Sequence, residues 1–155
     1  DLVPSHLTEW RIDTSGPSPS IAERRLSERS MDLPSHDPRR TGLPTRHGWF
    51  VTTTPPTSPH GFELDGICHL DLRTGRETVW DPGPDLRGGE PCFVPASDDA
   101  REGDGWLLTY VWDRGTDRSA LAVFDAQDVG AGPVGRVELP VRVPFGFHGT
   151  WVADA

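Results

Sequence analysis

At 155 residues with a net charge of −9, the chain is long enough for one domain with a core. Its 17 glycines and 16 prolines exclude a helical bundle, because both residues break helices wherever they recur. No apolar run reaches the ~20 residues of a membrane-spanning helix. The 15 basic residues are all arginine and form no cluster longer than a pair such as Arg39–Arg40, so no nucleic acid is expected as a partner.

In chain order, short runs rich in Val, Trp, Phe, Leu and Thr alternate with Gly, Pro, Asp and Ser, the pattern of strands and turns. Strands are predicted over Leu7–Asp13, Ala22–Ser27, Gly48–Thr53, Gly66–Leu72 and Arg76–Trp80. Further strands are predicted over Pro91–Val94, Trp106–Trp112, Ala120–Asp125, Gly135–Leu139 and Phe147–Val152. Loops are expected over Gly16–Ser20, Pro34–Thr45, Thr54–His60, Asp81–Gly89 and Ser97–Asp104. Three hairpins share one pattern: an apolar strand closing on an Asp (Asp13, Asp71, Asp125), a short turn and a return strand. The Asp positions recur roughly every 55 residues, about four strands per unit, which suits β-propeller blades; a sandwich accommodates the same strands. At that period the chain holds about three blades, while propellers close with about four to eight. On the propeller reading the chain, which begins at Asp1 without Met, is part of a longer protein.

Two cysteines, Cys68 and Cys92, do not make a disulfide framework and read as thiols in a reducing compartment, with a cytoplasmic location expected. The six histidines form no H-E-x-x-H motif, no Ser sits in a G-x-S-x-G elbow, and no phosphate-binding glycine loop is present. His6, His36, His47 and His60 read as surface or loop residues, and His69 as a half-buried structural residue. His148 differs, because Gly146 and Gly149 flank it in the aromatic stretch R-V-P-F-G-F-H-G-T-W. Glycines permit a close backbone approach, and aromatics exclude water. The setting suits a metal-binding imidazole, with a packed strand histidine as the competing reading. Glu90, in G-G-E-P-C-F-V-P, opens an apolar strand and needs a partner if buried. An imidazole N–H is one such partner, since carboxylates behind metal-bound histidines orient the ring.

Taken together, G-E-P-C-F-V-P (89–95), D-G-W-L-L-T-Y-V-W-D (104–113), S-A-L-A-V-F-D-A-Q-D (119–128) and R-V-P-F-G-F-H-G-T-W (142–151) resemble the C-terminal third of the carotenoid cleavage oxygenases. That family includes apocarotenoid and lignostilbene dioxygenases. The upstream E-R-S-M-D-L-P-S-H-D-P-R-R-T-G (28–42) resembles a further family segment. The resemblance implies an all-β fold, about three blades of a seven-bladed propeller, with the N-terminal portion of the same protein supplying the others. It implies Fe(II) held by four histidines, of which His148 matches one. It also implies carboxylates behind three of those histidines. Glu90 matches one, and Asp32 stands where the family usually has Glu; Ser35 replaces the usual Arg. The implied reaction adds O₂ across a carbon–carbon double bond of a polyene or stilbene. Phe145, Phe147 and Trp151 are candidate substrate-binding residues, although core packing is the expected role of each. With one ligand of four, the chain alone is expected neither to hold iron well nor to cleave substrate. The alternative is a non-catalytic β-repeat remnant that binds a ligand or partner.

Overall fold

The computed structural model describes residues 5–54 and 63–153. Eleven strands are present among them: β1 (Thr8–Asp13), β2 (Ser20–Arg25), β3 (Met31–His36), β4 (His47–Thr54), β5 (Glu63–Asp71), β6 (Arg76–Trp80), β7 (Leu86–Gly88), β8 (Cys92–Pro95), β9 (Gly105–Asp113), β10 (Arg118–Asp125) and β11 (Gly135–Glu138). Two single 3-10 turns, Pro38–Arg40 and Val129–Ala131, are the only helical residues described.

All pairings are antiparallel. β1 and β2 form a hairpin, and β3-β4-β5-β6 form a four-stranded meander. The third sheet runs β11-β10-β9, with β7 and β8 sharing the remaining edge of β9. β7 pairs with the Val111–Asp113 end of β9 and β8 with its Gly105–Leu108 end. They act as one strand broken at Gly89, Glu90 and Pro91. Proline has no N–H to give to a ladder, and at the break the Thr109 hydroxyl donates to the Gly89 carbonyl (2.9 Å) instead.

The two larger sheets pack face to face. Alternation along β4, β5, β9 and β10 puts one side chain in two on each face. Trp49 and Ile67 thereby meet Phe93, Leu107, Val111 and Phe124 in a shared core. Trp49 stacks on Phe93 with ring centroids 4.7 Å apart and donates its indole N–H to the Ala126 carbonyl (2.7 Å), so its polar end is satisfied. The sheets approach so closely that a Cβ on Gly88 would stand 2.8 Å from the Asp65 carbonyl oxygen. The opposite face of the meander buries Met31, Phe50, Cys68 and Leu70 under Leu7 and Leu26, which flank the first hairpin.

Several sequence expectations need correction. Met31–His36 is a strand, although Pro34 argues against one, and its ladder carries an irregularity between Asp32 and Ser35. Leu86–Gly88 is a strand inside an expected loop. Phe147–Val152 is not a strand; the 139–153 segment is a strap without regular structure. His47 is buried rather than in a surface loop, and His69 is buried rather than half-buried. His60 and most of the Thr54–His60 loop lie outside the described residues. Cys68 is buried and Cys92 partly buried, and both are free thiols; burial pushes the Cys68 thiol up to about 12.

Candidate metal-ligand site

The break between β7 and β8 aims Glu90 out of the ladder. The strap brings His148 back to it across 58 residues. His148 Nδ1 lies 3.0 Å from Glu90 Oε1, and the Gly149 N–H donates to Glu90 Oε2 at 2.7 Å. One carboxylate thus holds both the ring and the backbone next to it. A carboxylate only accepts, so Nδ1 carries the proton, and in the neutral ring Nε2 keeps its lone pair. The His148 side chain is 76% exposed, while Glu90 is 15% exposed. The arrangement is a fixed carboxylate behind an imidazole whose other nitrogen is open to a ligand.

Beside the pair is an apolar cavity of about 360 Å³. Its floor comes from β9 and β10, including Leu108, Tyr110 and Leu121, and its wall from Phe145, Phe147 and Trp151 of the strap. Those three aromatics are exposed rather than packed in the core, which corrects the role expected for them. Phe145 meets Trp112 edge-on at 5.7 Å, and Arg142 lies 4.7 Å above the Trp112 ring. Tyr110 and Trp112 also line the cavity, although in the sequence they read as ordinary strand positions. Their signal is apolar side chains on both faces of β9, unlike the usual inward–outward alternation.

Asp32 is placed differently. Its Oδ1 accepts the Leu33 N–H (2.8 Å) and its Oδ2 the Ser5 hydroxyl (3.4 Å). Leu33 has φ of 47°, a left-handed conformation for a non-glycine residue. Asp32 therefore steadies the irregularity of β3 and meets no imidazole among the described residues. β3 and the β7–β8 edge each border their sheet, and β3 contacts β8, so Asp32 and the break that carries Glu90 lie on neighbouring sheet edges.

A pair of histidines lies on the face of the meander that the other sheet covers. His47 Nδ1 and His69 Nε2 are 2.9 Å apart, so one ring donates to the other. His69 also stacks on Trp49 at 5.6 Å. Gly103, at φ +80°, closes over the His47 ring, where a Cβ would stand 2.7 Å from Cδ2. Burial, then the neighbouring His47, lower the His69 pKa to about 4; burial and Arg46 lower that of His47. Below them Arg46 grips Asp71 at 2.7 Å and holds its carboxyl well below the usual range. Both ring nitrogens facing each other are used, so this pair is built as structure. No three His, Cys, Asp or Glu side chains converge as a metal cage among the described residues.

A family model described as retinal pigment epithelial membrane protein, RPE65, matches residues 1–153. The chain belongs to this family, the RPE65 and carotenoid oxygenase family. It is 39% identical to the lignostilbene-α,β-dioxygenase isozyme III of Sphingomonas paucimobilis, over 97% of this chain and 32% of that protein. It is 46% identical to a carotenoid cleavage oxygenase of Mycobacterium tuberculosis, over 97% of this chain and 30% of that protein. The crystal structure of cobalt-substituted Synechocystis ACO superposes with a TM-score of 0.88 at 29% identity, covering 99% of this chain and 31% of that one. The chain spans about a third of the length of the relatives it matches. As in the oxygenases of this family, its sheets are blades: β3–β6 and β7–β11 are two, and β1–β2 is part of another, giving a partial β-propeller.

Proposed function

We propose that this chain is part of a metal-dependent oxygenase that cleaves a carbon–carbon double bond of a carotenoid, apocarotenoid or stilbene with O₂, and that His148 is one of the imidazoles holding its Fe(II). The observation that carries the reading is the His148–Glu90 pair: a carboxylate on Nδ1 and an open Nε2. Neutral imidazole suits Fe(II), and the donor present fits one position of a site completed by histidines outside this chain. Bound iron would supply the reactivity toward O₂. Glu90 fixes the tautomer and orientation of His148. Through Gly149 it also fixes the backbone on which the ring is carried. Asp32, on the neighbouring edge strand, is given the same orienting role toward an imidazole outside this chain.

The cavity beside His148 supplies the other requirement. A conjugated apolar substrate is held by aromatic walls and by exclusion of water, and Phe145, Phe147, Tyr110 and Trp151 offer such walls. The two unbridged thiols favour a reducing, cytoplasmic compartment for the whole protein.

The test uses the full-length protein. Metal content and O₂-dependent cleavage are measured against a carotenoid, an apocarotenal and a hydroxylated stilbene. Iron with cleavage of one of the three is expected. Stoichiometric iron without cleavage of any would overturn the substrate reading. Iron bound at full occupancy by the 155-residue chain alone, with turnover, would overturn the shared site.

A further inference from the structure

The strap carrying His148 makes no ladder with any strand, so something else sets its height above the sheet. Ser119, the second residue of β10, is buried beneath it with 1% of its surface exposed. Its carbonyl accepts the Leu139 N–H (2.9 Å), and its hydroxyl accepts the Val143 N–H (2.9 Å). One residue thus takes both backbone bonds where the chain leaves β11 and turns toward the site. Between Val143 and Gly149, where Glu90 takes over, lie Pro144, Phe145, Gly146, Phe147 and His148 itself. A Cβ on Gly146 would meet nothing within 4 Å, so packing does not fix that residue. The span is hydrogen-bonded at its two ends.

We propose that the Ser119 hydroxyl is a positioning residue for His148: it fixes the near end of the strap so that Glu90 can fix the far end. The role rests on the metal-ligand reading of His148 and extends it to a residue that touches neither metal nor substrate. Without the hydroxyl the nearest backbone tether moves from Val143 back to Leu139. The free span grows from five residues to nine, and the ring samples more positions before a metal captures it. A single neutral hydrogen bond and a modest gain in loop freedom translate into about a fivefold to tenfold loss of metal affinity.

The experiment uses the metal-free full-length protein, with Co(II) titrated under anaerobic conditions. Ser119→Ala should weaken Co(II) binding about fivefold to tenfold and shift the melting temperature of the metal-free protein by only a few degrees. Ser119→Thr, which keeps the hydroxyl, should bind within twofold of the parent. Amide exchange at Val143 and Gly149 should quicken in Ser119→Ala while β9 amides stay protected. Unchanged Co(II) affinity in Ser119→Ala, or equal loss in the Ala and Thr variants, overturns the proposal. So does an unprotected Val143 amide in the parent, a measurement that stands even if Ser119→Ala fails to fold. Parent-like Co(II) binding by His148→Ala instead overturns the ligand reading, and amide exchange reports the Ser119 tether separately.

Discussion

His148 and His69 each make one ring hydrogen bond, at 3.0 and 2.9 Å, yet they are opposite in kind. The partner of His148 is a carboxylate, which leaves Nε2 open toward solvent. The partner of His69 is another imidazole, and stacked Trp49 closes over both. The difference lies in the backbone that carries each ring. His69 sits in a central strand bonded on both sides, while His148 rides on a strap tied by side chains. An imidazole proposed as a metal ligand suits the second arrangement; one that ties neighbouring strands of a single sheet suits the first.

The largest effect expected is from His148→Ala in the full-length protein: loss of bound iron and of O₂-dependent cleavage, with little change in the stability of the metal-free protein, since exposed sites usually contribute within ~0.5 kcal/mol. Retained iron would break the comparison at its first term. The second histidine should respond the other way. His69→Ala should lower unfolding free energy by about 2–4 kcal/mol in denaturant titration, because it leaves a cavity beside Trp49 and strips His47 of its partner. A loss below ~1 kcal/mol would mean that the meander is not held there.

The pH dependence separates the pairs further. The folded-state pKa of His69, about 4, lies below the ~6.5 of an unfolded histidine. The unfolded chain therefore binds more protons in that interval, and stability falls as pH drops from about 6.5 to 4. The loss is on the order of 2–3 kcal/mol and should shrink in His69→Gln to the part that His47, also lowered by burial, contributes. Asp71, held low by Arg46, loses its contribution only at more acid pH, below about 4, so the two windows are distinguishable. A still smaller effect is expected from Glu90→Gln. It keeps a hydrogen-bonding group but not the charge, and should weaken metal binding by about 10-fold to 100-fold without moving the melting temperature of the metal-free protein. Equal affinity would remove the orienting role of Glu90.

Much of the fold is legible in the sequence where local rules suffice. β6 is predicted to its ends, because a Thr-Gly turn precedes Arg76 and Asp-Pro follows Trp80. β7 has three residues in a Gly- and Asp-rich stretch and owes its existence to the edge of β9. β3 contains Pro34 and a left-handed Leu33, both of which oppose a strand locally. The 147–152 segment looks like a strand because apolar residues alternate, yet no strand edge receives it. At the site, Glu90 and His148 are legible as residue types in context. Ser119 is not, since nothing around it distinguishes a hydroxyl that meets a backbone amide 24 residues away. The burial of His47 is equally hidden, because it depends on Gly103 arriving from the other sheet.

The broken edge strand has a consequence for assembly. Glu90 is placed by the β7–β9 and β8–β9 ladders, which close over short sequence separations. His148 lies beyond β10 and β11 in the chain, at a separation of 58 residues. The ladders that place the carboxylate therefore close shorter loops than the contact that brings the ring to it. Because few backbone bonds tie the strap, it should also open at a lower free energy than the sheets beneath it. Metal could then be lost, or regained, by a protein whose blades never unfold.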